Sequence, residues 1–67
     1  MEIGNIISAR RKLLGINQHD LAQIAEVSIA TVKDIERGKG NPSLKTIEKI
    51  CVVLGLEIRI DVRKKVI

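Results

Sequence analysis

The chain of 67 residues contains no phenylalanine, tyrosine or tryptophan. Stacking of unpaired bases needs aromatic platforms, for which arginine is a poorer substitute, so an RNA-recognition or single-strand-binding module is disfavoured. A single cysteine rules out an intramolecular disulfide and any multi-cysteine metal site. That residue, Cys51, lies in the apolar run Ile50-Cys51-Val52-Val53-Leu54 and reads as part of the core. There is one histidine, no phosphate-cradling glycine loop and no carboxylate cluster, so the chain reads as non-enzymatic, with no cofactor and no metal. No apolar run approaches the roughly 20 residues of a membrane span. The first basic cluster, Arg10-Arg11-Lys12, follows an apolar segment too short for a secretion signal. These absences lead to the expectation of a soluble, cytoplasmic protein.

What is present is basic and helical. Twelve Lys+Arg stand against eight Asp+Glu, a net charge of +4, which suits a polyanionic partner. The length allows one domain with a modest core. Helix 1 is expected over about Ile3 to Leu14, with Ile3, Ile6, Ile7, Leu13 and Leu14 on or near one face, ending at a left-handed Gly15. Asn17 is a suitable N-cap for helix 2, and Asp20 completes a capping-box-like pair. Leu21, Ile24 and Ala25 form the expected inward stripe, and the small Ala22 allows close helix approach. A tight turn, Ala25-Glu26-Val27-Ser28, leads into helix 3, capped by Ser28, burying Val32 and Ile35 and stopping at Gly38. Gly38-Lys39-Gly40-Asn41-Pro42 is too rich in breakers for regular structure. Ser43 caps helix 4, where Leu44, Ile47, Ile50, Cys51 and Leu54 keep helical spacing until Gly55. The stretch Gln18 to Lys39 thus has the pattern of a helix-turn-helix, whose second helix is offered to the DNA major groove.

After Gly55 the period changes from helical to alternating. Leu56, Ile58, Ile60 and Val62 alternate with Glu57, Arg59, Asp61 and Arg63, as in a half-buried strand. A lone strand leaves its backbone groups and apolar face unpaired. The economical solution is the same strand from a second copy, antiparallel about a two-fold axis; the alternative is a strand-like tail lying on its own core. A dyad centred on Arg59 juxtaposes like charges. One on Ile60 pairs Arg59 with Asp61, Glu57 with Arg63 and Ile58 with Val62, whereas one on Ile58 pairs Glu57 with Arg59 over a shorter overlap. The Ile60 register is therefore expected first and Ile58 second. The chain divides into a DNA-binding domain, residues 1–55, and a dimerisation strand with a basic tail, residues 56–67. The resulting fold class is mainly α: a compact four-helix helix-turn-helix domain plus one C-terminal β-strand that pairs across a homodimer.

Gly15-Ile16-Asn17-Gln18, Leu21-Ala22, Val27-Ser28, Thr31-Val32, Ile35-Glu36-Arg37-Gly38-Lys39 and Asn41-Pro42-Ser43-Leu44 together resemble the Xre family, the helix-turn-helix class of the lambda and 434 repressors and Cro proteins. The resemblance covers about residues 3–55. The following segment, Leu54-Gly55-Leu56-Glu57-Ile58-Arg59-Ile60, resembles HipB-type antitoxins, in which a C-terminal strand pairs between subunits. One departure is Glu26, where the family most often has glycine in a left-handed conformation that costs other L-residues about 1–2 kcal/mol.

The resemblance implies site residues. Ile29, Ala30, Lys33 and Asp34, at the exposed start of helix 3, would face base edges. Ile29 and Ala30 can only pack on a thymine methyl, while Lys33 can reach a guanine or a phosphate. Sequence readout should accordingly be lean, with DNA shape contributing. Gln18, Ser28, Thr31, Arg37, Lys39 and the backbone near Asn41 would meet phosphates. His19 would sit exposed beside Gln18. Arg11 and Glu36 would form a structural ion pair tying the recognition helix to helix 1. Arg63, Lys64 and Lys65 would either extend the footprint or remain a solvated tail. The function implied is a dimeric, sequence-specific regulator of transcription, acting as a repressor on a palindromic operator in double-stranded DNA. In the absence of a sensor domain it would be controlled by concentration or by a partner, for which the antitoxin resemblance implies a HipA-like kinase toxin. The other reading is a protein-interaction module that uses the fold without DNA.

Overall fold

Four helices account for most of residues 3–63, the part of the chain that the computed structural model describes. They are α1 (Ile3–Leu13), α2 (Gln18–Ala25), α3 (Ile29–Glu36) and α4 (Leu44–Leu54). Three of the helix starts are fixed by side chains that replace missing intrahelical partners. Asn17 Oδ1 accepts from the Asp20 N–H at 2.7 Å, and Asp20 Oδ2 accepts from the Asn17 N–H at 3.1 Å, closing the expected capping box. Ser28 and Ser43 cap α3 and α4 by accepting from the N–H groups of Thr31 and Thr46, both at 3.1 Å. The chain leaves α1 and α4 through left-handed glycines, Gly15 (φ 72°) and Gly55 (φ 70°).

The core is aliphatic: Ile7, Leu21, Ala22, Ala25, Val32, Ile35, Ile47, Ile50, Cys51 and Leu54 are buried together. Helix α2 packs between α3 and α4, and α1 closes the other side of the same pair. Burial pushes the Cys51 thiol above its ordinary pKa, as suits an inert core position.

The inward faces of three helices differ from those expected. Helix α1 buries Gly4, Ile7 and Arg11, while Ile6, Leu13 and Leu14 lie exposed. Beside the expected Ile7, and Ile3 at the edge of the core, that inward stripe is carried by a glycine and an arginine, so Ile6, Leu13 and Leu14 draw the apolar pattern toward the wrong face. In α2 the buried set is Leu21, Ala22 and Ala25, and Ile24 points outward at 61% exposure. Two alanines let the neighbouring helices approach, and the larger isoleucine stays outside. Leu44, at the first turn of α4, is also exposed, on an open groove that it borders with Ile3, Ile35 and Ile47.

Two contacts outside the apolar core set how α1 sits. A Cβ added at Gly4 would come within 2.2 Å of the Ile35 carbonyl oxygen and 3.0 Å of that of Glu36, so only glycine permits this approach of α1 to the end of α3. Arg10 Nε donates to the Leu54 carbonyl at 2.8 Å, satisfying a free acceptor at the C-terminus of α4.

Among the described residues there is no β-strand. Leu56 is half-buried on the core, but Ile58, Ile60 and Val62 become progressively exposed, at 40%, 86% and 88%. The strand expected over Leu56–Arg63 is thus not formed by the single chain, for a physical reason: no other extended segment among the described residues can complete its ladder. Lys64 and Lys65 of the expected basic tail lie outside the described residues.

Candidate nucleic-acid interface

The turn between α2 and α3 is made by Glu26, Val27 and Ser28. Glu26 takes the left-handed conformation (φ 58°, ψ 45°), and its N–H reaches the carbonyls of Ala22 and Gln23. The glutamate therefore reproduces the backbone of a glycine turn and bears the steric cost of its Cβ. Val27 follows with its N–H on the Ala22 carbonyl at 3.0 Å and its side chain against the core, which aims the chain into α3.

Helix α3 presents Ala30 and Lys33 to solvent, with Thr31 and Asp34 half-exposed beside the loop 38–43. Ile29 is half-buried against the core, so only part of its side chain remains available outside. The Ser28 and Thr31 hydroxyls lie 2.8 Å apart. One hydroxyl proton serves that contact, and the other stays free to donate outward.

Glu36, at the end of α3, ties the interface to the scaffold. Arg11 grips it in a two-pronged fork, Nε to Oε2 at 2.7 Å and Nη2 to Oε1 at 2.9 Å, and uses Nη1 to hold the Ile16 carbonyl at 3.0 Å. The two side chains are only 11% and 7% exposed. Burial works against the Glu36 carboxylate, but hydrogen bonds from Arg11 and Gln18 outweigh it and hold its pKa below the ordinary value. The same contact with Glu36 raises the pKa of the Arg11 guanidinium, so both groups stay charged. The structural ion pair expected of Arg11 and Glu36 is present.

Gln18 is joined to that pair. Its Nε2 donates to Glu36 Oε1 at 3.1 Å, linking the N-terminus of α2 to the C-terminus of α3. This hydrogen bond uses one amide proton and orients the side chain, leaving a second N–H and the open N–H groups of the first turn of α2. His19, next to it, is exposed.

The remaining candidates border the loop after α3. Arg37 Nη2 contacts Asp34 Oδ1 at 2.5 Å, an exposed pair one turn apart. Lys39 and Asn41 are exposed, and with Thr31, Asp34, Gly40 and Pro42 they border a shallow cavity of about 170 Å³. Thr31, Asp34, Lys39 and Asn41 are therefore neighbours in space, with Ala30 and Lys33 on the open side of the same helix. Gln18 is instead placed beside Glu36. Among the described residues no cluster of His, Cys, Asp or Glu is placed to hold a metal ion, and no helix is long and apolar enough to cross a membrane.

Sequence reasoning missed three contributors to this geometry: Gly4, Arg10 and the bond from Gln18 to Glu36. A glycine inside a helix is a visible signal of close backbone approach. Nothing local marks Arg10 as different from its neighbours Arg11 and Lys12.

Known proteins with this geometry have a common character. A helix-turn-helix family model matches residues 7–60. The immunity repressor protein of Bacillus phage phi105 is 40% identical over 58 residues, covering 87% of this chain and 40% of its own. An HTH-type transcriptional regulator of Deinococcus deserti is 33% identical over 48 residues, 72% of this chain and 37% of its own. The chain thus spans about two fifths of the length of these curated relatives. Among solved structures, the N-terminal DNA-binding domain of SinR from Bacillus subtilis superimposes with a TM-score of 0.78 at 35% identity, over 84% of this chain and 83% of that one. With the turn, the capped helices and the Arg11–Glu36 fork in place, the match extends from sequence to architecture, and the chain belongs to the Xre-like helix-turn-helix family.

Proposed function

We propose that the chain is a non-enzymatic, cytoplasmic, sequence-specific binder of double-stranded DNA that represses transcription as a homodimer on a palindromic operator. The observation that carries this reading is the exposed start of α3, with Ala30 and Lys33 outermost, fastened through Glu36 to both α1 and the N-terminus of α2. Rigid presentation of one short helix end is what insertion into a major groove about 12 Å wide requires.

The roles follow from the side chains. Ala30 and the open part of Ile29 pack on thymine methyl groups, Lys33 donates to a guanine edge or a phosphate, and Asp34 faces the bases beside them. Gln18, Ser28, Thr31, Arg37, Lys39 and the Asn41 backbone position the duplex through phosphates. A strand made of Leu56, Ile58, Arg59, Ile60, Asp61 and Val62 pairs with its copy, with the dyad at Ile60, and sets two recognition helices about 34 Å apart. The exposure of Ile60 and Val62 supports a second copy there, since each leaves an apolar side chain in water.

The test is a mobility-shift assay on duplexes selected from a random pool, with Lys33→Ala and Gln18→Ala beside the wild type. Lys33→Ala should weaken or relax recognition at one base step, and Gln18→Ala should weaken all duplexes alike. Failure of the wild type to bind any duplex at low salt would remove the reading. It would favour instead a protein-interaction module, for which the exposed Ile24 and Val52 offer an apolar surface. A finer reading makes the dimer the antitoxin of a HipA-like kinase toxin. It rests on the resemblance of Leu54–Ile60 and requires that such a kinase, encoded beside the gene, co-purify with the chain.

A further inference from the structure

We propose that Asp34 determines specificity by restraint: it keeps Arg37 and the neighbouring phosphate-seeking groups from gripping DNA of any sequence. The proposal rests on the DNA-binding reading above and assigns to Asp34 a role different from that of its neighbours. Asp34 is the one acidic side chain among the residues bordering the shallow cavity beside α3, where Thr31, Lys39 and Asn41 supply donors. Its Oδ1 holds the Arg37 guanidinium at 2.5 Å. Its Oδ2 is turned toward Gly40, 3.8 Å from where a Cβ would stand on that residue, so the carboxylate lies against the loop that carries Lys39 and Asn41. The Lys39 N–H in turn donates to the Asp34 carbonyl at 2.7 Å, fixing the loop against this part of α3.

A phosphate approaching Thr31, Lys39 and Asn41 therefore meets a carboxylate at close range, and Arg37 must leave that carboxylate to reach it. Both effects lower affinity for any backbone, whatever the sequence. Opposite a cytosine the balance changes, because its N4 amine projects a donor into the major groove that Oδ2 can accept while Oδ1 keeps Arg37. Elsewhere the carboxylate loses water and gains no partner. Asp34 thus rejects wrong sites through a repulsive element, and its neighbours provide the attraction.

The test measures fluorescence anisotropy of a labelled random-sequence duplex across a salt series, with wild type, Asp34→Asn, Arg37→Ala and the double variant. Both positions are exposed enough for the fold to tolerate these changes. Asp34→Asn should bind the random duplex roughly five- to tenfold more tightly at about 0.1 M salt, with a salt slope steeper by about one, the signature of one added phosphate contact. In the Arg37→Ala background most of that gain should vanish. In selection from a random pool, Asp34→Asn should lose a cytosine preference that the wild type shows. Unchanged or weaker binding of the random duplex by Asp34→Asn overturns the proposal, as does a full gain that survives without Arg37. A wild type that binds no duplex overturns the DNA-binding reading itself, a result distinct from either.

Discussion

Replacing Arg11 by methionine tests how the interface is held. The substitution removes a near-isosteric apolar stem's charged head, and with it two hydrogen bonds to Glu36 and one to the Ile16 carbonyl. Glu36, whose side chain is 7% exposed, is left with the Gln18 amide and no countercharge. Removing one partner of a buried pair costs about 3–5 kcal/mol. A domain of this size has roughly 3–10 kcal/mol in all, at 0.05–0.15 per residue. The variant should therefore melt about 12–40 °C lower, at 4–8 °C per kcal/mol. Without aromatic residues the chain has no intrinsic fluorescence, so unfolding is followed by far-UV circular dichroism. Acid supplies a second reading. The native pKa of Glu36 is lowered, so its contribution is present above the ordinary value of 4.5 and is lost as pH falls through the native value. The stability gap between wild type and Arg11→Met should then narrow as pH drops below 4.5. A loss under about 1 kcal/mol, as for an exposed pair, or a gap constant with pH, would refute the reasoning.

Gly4→Ala gains about 1 kcal/mol of helix propensity, but its Cβ would sit 2.2 Å from the Ile35 carbonyl oxygen. Overpacking of about 1–3 kcal/mol should win, lowering the urea midpoint; a more stable protein would show that α1 can shift freely. Glu26→Gly should raise stability by up to about 1 kcal/mol, because the left-handed strain outweighs the added chain entropy. Glu26→Ala, which keeps the Cβ, should give no such gain in the same melt. Ile58→Pro disrupts the proposed dimer strand, so if the wild type sediments as a dimer the variant should sediment as a monomer, and a dimeric variant would exclude strand pairing.

Much of this architecture can be read from the residues alone, for reasons that are local. The caps at Asn17, Ser28 and Ser43 announce helix starts because a short polar side chain satisfies N–H groups within its own turn. Val32, Ile35, Ile47, Ile50 and Leu54 are buried where the helical period puts them. What the period could not show is which face of α1 turns inward, because Gly4 and Arg11 occupy that face, and their reasons for being there lie on α3, more than 20 residues away. Ile24 misleads in the same way, since the inward face of α2 is filled by Leu21 and two alanines and Ile24 lies off it. The candidate interface was legible as a set of positions but not as a network. The bond from Gln18 to Glu36 exists only once the helices are placed, whereas Asp34 and Arg37 pair within a single turn, at a spacing the residues already display.

The left-handed Glu26 carries a further consequence, for how the domain folds. Local bonds from the Glu26 and Val27 N–H groups to the carbonyls at the end of α2 favour that conformation, but the glutamate Cβ opposes it, so the angle between the two helices also leans on the core beneath them. The turn should therefore be fully fixed only once α4 has docked against α2. Opening of the core beneath the turn should then loosen the angle between α2 and α3 as well. A ligand that requires that geometry would act as a stabiliser of the entire domain, and its binding would be visible in the melting of residues it never touches.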